Sequence, residues 1–174
     1  MKNLIYILSI TLIITSLNAC LNPQKTKDKQ IDTPTTYILV RHAEKVLNVR
    51  NPDLTQEGQK RAEDLKYLLK DVHLDAIYSS DYKRTRQTAA PTAEAKNMEV
   101  QLYDPRNLEA LITEIEKKHA GKTILVAGHS NTTPKLANLL VGTNHPDFDE
   151  RIYDNFFVVE VYKKGTGKVL LLKY

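Results

Sequence analysis

Four short β-rich runs divide the chain between residues 36 and 128, and a stretch with helical spacing separates each from the next. The runs are TYILV (36–40), LDAIYSS (74–80), MEVQLY (98–103) and KTILVAG (122–128). After the first, Leu54, Ala62, Leu65, Leu68 and Leu69 recur near a 3.6-residue period. After the third, Leu108, Leu111, Ile112 and Ile115 share one helical face. Strands alternating with helices need crossover connections, and right-handed crossovers cover both faces of a mostly parallel sheet. The pattern predicts an α/β, three-layer sandwich. Residues 156–174 read as two more strands around the turn from Gly165 to Gly167, a C-terminal β-hairpin.

Local signals set the element ends. Thr55 stands where it can cap the helix read in DLTQEGQKRAEDLKYLLKD (53–71), with Gly58 a weak point in its first turn. Gly121 and Gly142 fall where two later helices should stop. Pro91, inside DYKRTRQTAAPTAEAK (81–96), predicts a kink or a break, because it removes a backbone donor and crowds the preceding turn.

Residues 1–19 stand apart. They carry one lysine near the start, an apolar stretch over 4–17, and then small and polar residues up to Cys20, the only cysteine. This is the layout of a secretory signal, with an apolar core too short for a membrane span. LNAC (17–20) also resembles the lipobox of bacterial lipoproteins, which implies that Cys20 is lipidated and becomes the first residue. An uncleaved anchor with an incidental thiol is the alternative. Residues 21–35 are polar, hold two prolines and lack periodicity, as a flexible tether does. The expected organisation is a signal peptide over 1–19, lipidated Cys20 and tether over 20–35, and a folded domain over 36–174. That domain would sit outside the cytoplasm as a membrane-anchored lipoprotein, on the periplasmic side or the cell surface. One cysteine allows no internal disulfide. The net charge of +4 over 174 residues is too slight to argue for nucleic acid. No Lys/Arg block, aromatic ladder or zinc-type Cys/His spacing argues for it either.

In open α/β sheets, ligands bind outside the carboxyl ends of the strands. That rule selects Arg41-His42, the segment 79–86, the segment 103–107 and the segment 128–132. A phosphoryl group spreads charge over three oxygens, so its transfer needs fixed positive donors. Arginine supplies them as a planar fork that never loses its charge. Arg41 and Arg84 come from different strand ends, and a neutral imidazole between them can attack phosphorus in line.

Four segments occur in order at these ends: VRHAEK (40–45), YSSDYKRTRQTA (78–89), YDPR (103–106) and VAGHSNTTP (126–134). Together they resemble the histidine phosphatase superfamily, also called phosphoglycerate mutase-like. The family's Arg-His-Gly opening corresponds to Arg41-His42-Ala43, with alanine where glycine is usual. Its second motif corresponds to Ser79, Ser80, Arg84, Gln87, Thr88 and Ala89, and its second histidine to His129. The segment 53–62, DLTQEGQKRA, is also similar to the family, and the resemblance spans nearly all of 37–141.

The resemblance implies a phosphoglycerate mutase-like fold and a phosphomonoester hydrolase that needs no metal or other cofactor. His42 would form a phosphohistidine, with the phosphate clamped by Arg41, Arg84 and His129, the last donating a hydrogen bond. Asn48, six residues after His42, matches an asparagine that contacts phosphate in mutase-like members. Asn131 and Thr132 lie where helix N-terminal amides would face an anion. Many members protonate the leaving group with a carboxylate. Asp104, directly after the third strand, is favoured for that role over Glu109 in the next helix, and small phosphohistidine phosphatases lack an obvious donor. Arg86, two residues beyond Arg84, should point elsewhere.

Two other classes stay open. GHSNT (128–132) half-matches a nucleophile elbow with Ser130 as nucleophile, which would make a serine esterase, although the closing glycine is missing. A catalytically silent lipoprotein that only binds phosphorylated ligands is the other. The expected partners are a small phosphorylated substrate and the membrane, and the expected state is a monomer. Large insertions of the mutase and phytase type are absent from the sequence, so a small, open phosphomonoesterase is expected.

Overall fold

The computed structural model describes residues 33–174, so the signal, Cys20 and most of the tether lie outside the described residues. The elements run β1 (Thr35–Arg41), α1 (Gln56–Leu68), β2 (Ala76–Ser80), α2 (Lys83–Ala95), β3 (Val100–Tyr103), α3 (Leu108–His119), β4 (Thr123–Gly128), α4 (Thr132–Val141), β5 (Asn155–Lys163) and β6 (Thr166–Lys173). They form one sheet in the order β3-β2-β4-β1-β5-β6. The first four strands are parallel, β5 runs antiparallel to β1, and β6 closes the hairpin on β5. The α/β three-layer sandwich and its C-terminal hairpin are both present.

Alternation along β1 builds the two outer layers. Tyr37 and Leu39 join a core with Leu111, Ile112 and Ile115 of α3 and Leu136 and Leu140 of α4. Ile38 and Val40 face the other way, against Leu65 and Leu69 at α1 and Ala89 and Ala93 of α2. The side chains of β4 are buried on both faces, as a central parallel strand requires, which is why it reads as a continuous apolar run. Full burial of such a side chain contributes roughly 1.5–3 kcal/mol.

The caps form as the residue types demand. Thr55 Oγ1 accepts from the Gly58 N–H at 3.1 Å, and Gly142 closes α4 with φ 72°. The break expected at Pro91 is not there: α2 runs unbroken from Lys83 to Ala95. Proline removes one donor from that helix, while buried Ala89, Thr92 and Ala93 on either side hold it against the sheet. No helix among the described residues is long and apolar enough to cross a membrane. Because β1 to β4 are parallel, their carboxyl ends share one edge, and everything below stands on that edge.

Candidate active site

The last pairing of β1 sets Arg41 beside Gly128 of β4, and His42 follows with its N–H donating to the Gly128 carbonyl at 2.9 Å. His42 is 2% exposed, and its Nδ1 lies 2.8 Å from the Ala43 carbonyl oxygen. A carbonyl only accepts, so Nδ1 carries the proton and Nε2 keeps its lone pair. Burial lowers the His42 pKa to about 3. The Ala43 carbonyl opposes this, and the charges of Arg41, Arg84 and His129 assist it. The ring is thus neutral at any physiological pH, as a nitrogen nucleophile must be. Ala43 donates its N–H to Thr88 Oγ1 at 2.9 Å and packs its methyl with Leu54 and Ala62.

β4 ends at Gly128, where a side chain would be crowded. A Cβ there would lie 2.9–3.0 Å from the hydroxyls of Thr132, Thr133 and Tyr103. His129 comes next, its ring 5.6 Å from that of His42 and edge-on to it. Its Nδ1 is 3.2 Å from Arg84 Nη2 and its Nε2 is 2.8 Å from Ser80 Oγ. A guanidinium only donates, so Nδ1 accepts and Nε2–H donates to Ser80. The Ser80 hydroxyl passes its own proton to Thr85 Oγ1 at 3.0 Å, and Thr85 donates onward to backbone carbonyls. Burial, then Arg84, Lys45 and Arg41, lower the His129 pKa to about 4 against the pull of Glu150. The expected hydrogen bond from His129 to a phosphate needs a proton on Nδ1, and here that nitrogen accepts from Arg84 instead.

Arg84 sits in the first turn of α2, lines the cavity and lies over the Tyr82 ring at 4.6 Å. Arg86 points elsewhere, as expected, and pairs with Asp81 at 2.7 Å. Arg41 departs from its expected place. It is 0% exposed and does not line the cavity. Its Nη1 donates to the carbonyls of Asp149 (2.9 Å) and Ile152 (2.7 Å), and its Nη2 to the Glu150 carbonyl (3.1 Å) and Oε2 (2.9 Å). The guanidinium also lies 4.1 Å from the Tyr153 ring centre. A buried charge must be paired, and the loop between α4 and β5 folds back to supply the acceptors. Only Arg41 Nε remains, buried and without a partner among the described residues, and Arg84 Nε is in the same condition. Buried N–H donors are nearly always satisfied. Two unsatisfied ones on arginines that act on the same histidine pair fit an anionic ligand.

The cavity holds about 590 Å³. Asn131 and Thr132 line it, with Thr132 Oγ1 already accepting from the His129 N–H at 2.9 Å. Two predicted residues are not brought here. Asn48 sits exposed in the loop before α1 with φ 59°, a turn residue that does not line the cavity. Asp104 forks onto Arg106 at 3.0 and 3.1 Å and caps its own turn by accepting the Arg106 N–H. That arginine holds its carboxyl below the usual range. Arg106 faces the cavity in its place. Glu109 is likewise outside, paired with Lys164 at 2.7 Å. Among the described residues, no group of histidine, cysteine and acidic side chains is arranged to hold a metal ion.

Sequence reasoning missed Lys45, Tyr82, Asp147, Phe148 and Glu150, all of which line the cavity. Three of them lie in HPDFDERIYD (145–154), which has no periodicity. The available signal was Arg41 itself, since a guanidinium buried at a strand end needs acceptors from somewhere.

Comparison with known proteins agrees with this geometry. Residues 37–107 match the Histidine phosphatase superfamily (branch 1). Over 70 residues the chain is 50% identical to Phosphoserine phosphatase 1 of Hydrogenobacter thermophilus, covering 36% of this chain and 33% of that protein. The chain thus spans about a third of the length of the curated relative it matches. The fold is similar to that of the protein histidine phosphatase SixA solved with tungstate, with a TM-score of 0.67 and 18% identity over 79% of this chain and 96% of the other. It is also similar to the mycobacterial glucosyl-3-phosphoglycerate phosphatase, with a TM-score of 0.65 and 11% identity over 80% and 99%. The sequence likeness to that superfamily covers residues 37–107, and the likeness of fold to the solved phosphatases covers about four fifths of the chain.

Proposed function

We propose that the domain is a metal-independent phosphomonoester hydrolase that works through a phosphohistidine on His42. The observation that carries this reading is the Nδ1 bond to the Ala43 carbonyl, which leaves a neutral Nε2 as the nucleophile beside Arg84 and His129. Nε2 attacks phosphorus, the ester oxygen leaves, and water later attacks the phosphohistidine to free phosphate. Arg84 holds the phosphoryl oxygens from the cavity wall, and buried Arg41 adds its charge from beneath the site. His129 holds Arg84 in place by accepting its N–H at Nδ1.

A small phosphomonoester is the substrate class. The name of the curated relative makes phosphoserine the first ester to try. A rim that mixes Lys45 and Arg106 with Asp147 and Glu150 suits a leaving group bearing both charges. We place the enzyme outside the cytoplasm, anchored through Cys20, on the basis of the apolar stretch over 4–17 and LNAC. Loss of acyl labelling in Cys20→Ser is expected, with activity kept by a chain beginning at Lys25.

The test is turnover of p-nitrophenyl phosphate and phosphoserine with chelator present, followed by an alkaline quench. Acid-labile phosphate should be found on His42 and be absent from His42→Ala. Full activity in that variant would remove the assignment, and tight phosphate binding without turnover would favour the silent ligand-binding reading. The serine esterase reading has less support, since the Ser130 hydroxyl donates to Glu150 rather than to a histidine. Hydrolysis of p-nitrophenyl acetate is its control.

A further inference from the structure

We infer that Glu150 is the proton donor to the leaving group, the role that Asp104 and Glu109, held in ion pairs outside the cavity, do not fill. The inference rests on the phosphatase reading above. Two carboxylates line the cavity with His42 and His129, those of Asp147 and Glu150. The Glu150 carboxylate is held at both oxygens: Oε2 accepts from Arg41 Nη2 at 2.9 Å and Oε1 accepts from the Ser130 hydroxyl. Its backbone is fixed too, because its own carbonyl and those of Asp149 and Ile152 accept from the Arg41 guanidinium. The arginine that precedes the nucleophile therefore also sets the position of the acid. The Glu150 side chain is 65% exposed, so it can exchange protons with water.

As the side chains stand, the Ser130 hydroxyl and then Arg41, Lys45 and Arg84 hold the Glu150 carboxyl below its ordinary range. A phosphate dianion gripped by Arg84 offsets those cations and adds a like charge, and both effects move the carboxyl toward protonation when substrate is present. The proton bookkeeping then closes. The His42 Nε2 lone pair forms the N–P bond, the P–O bond breaks with its electron pair on the ester oxygen, and the Glu150 proton goes to that oxygen, releasing an alcohol. In the second step water forms the new P–O bond and gives its proton to the Glu150 carboxylate. The N–P pair returns to Nε2, and the starting state is restored.

The test is Glu150→Gln in the full chain, read against esters that differ in leaving group. Proton donation matters most for an alkoxide and little for dinitrophenolate. The variant should therefore lose on the order of 10²–10⁴ in kcat/KM on an uncharged alkyl phosphate, and less than about fivefold on 2,4-dinitrophenyl phosphate. Asp147→Asn, measured in parallel on these two esters, neither of which carries an ammonium group, should show no dependence on the leaving group. Equal loss on both esters, a gain of activity as from a removed plug, or leaving-group dependence in Asp147→Asn alone would each overturn the inference. A wild-type protein that hydrolyses neither ester would overturn the phosphatase reading and this inference with it, whereas an active wild type with equal losses overturns the inference alone.

Discussion

Ser80 Oγ lies 2.8 Å from Nε2 of His129, and this bond decides which nitrogen of that ring faces Arg84. Ser80 is buried, and its hydroxyl links His129 to Thr85. In Ser80→Ala the His129 N–H and the Thr85 oxygen both lose a partner. Orphaning a buried polar group costs roughly 1–3 kcal/mol. The expected outcome is a loss of roughly tenfold in kcat/KM, because Arg84 is no longer held, together with a lower thermal midpoint. An active, equally stable variant would show that the tautomer of His129 is set by something else.

Arg84 and Arg86 share a helix turn and differ in what they face. Arg84→Ala should lose on the order of 10²–10³ in kcat/KM, as when a single donor to a transition-state oxyanion is removed. Arg86→Ala gives up an exposed pair with Asp81, of a kind worth about 0–1 kcal/mol, and should turn over almost normally. Steady-state kinetics on phosphoserine distinguish them, and similar losses at both positions would misplace the phosphate.

The difference between what the sequence made legible and what it did not follows element type. Strand ends carry their chemistry in register with the sheet, and position together with the resemblance made Arg41-His42, Arg84 and His129 legible at that edge. Gly142 and Thr55 announce helix ends through φ and hydrogen-bonding needs that few residues meet. The segment 143–154 obeys no such rule. Its path is set by a tertiary demand, the four acceptors that buried Arg41 requires, and no local pattern encodes that demand. Asp104 was misread for a related reason. A carboxylate after a strand can face the site or cap its own turn, and Arg106 two residues on decides for the cap.

Arg41 should behave unlike Arg84, because its terminal nitrogens hold the segment 149–152 rather than the cavity. Arg41→Met removes the charge and keeps most of the bulk. It leaves three backbone carbonyls and Glu150 without their donor. Orphaning a buried carbonyl costs roughly 1–3 kcal/mol, whereas the Glu150 carboxylate, 65% exposed, is left to water. The variant should lose activity and also several degrees of thermal midpoint, with faster hydrogen exchange at the amides of the α4–β5 loop. Arg84→Ala, measured alongside, should lose activity with a much smaller change in midpoint. If Arg41→Met is as stable as wild type, the loop is held by other contacts.

The two histidines set the pH behaviour. Their pKa values, about 3 for His42 and about 4 for His129, both lie below the ordinary 6.5 of the ring, chiefly through burial. A lowered pKa means that the folded site resists protonation, so the nucleophile survives acidification and is lost only as pH falls through about 3. Between about pH 4 and 6.5 the unfolded chain binds more protons at these positions than the folded one. Stability therefore declines as pH falls across that window, and the contribution is fully present above it. Imidazole NMR signals should keep both rings neutral at pH 5, with the proton on Nδ1 in His42 and on Nε2 in His129. In His42→Asn the fall in thermal midpoint from pH 6.5 to 4 should be shallower than in wild type, since one of the two sources of proton uptake is gone. A His42 ring that titrates near 6.5, or a midpoint that falls as steeply in the variant, would mean that the histidines are hydrated and that the dry, cationic site described above does not form.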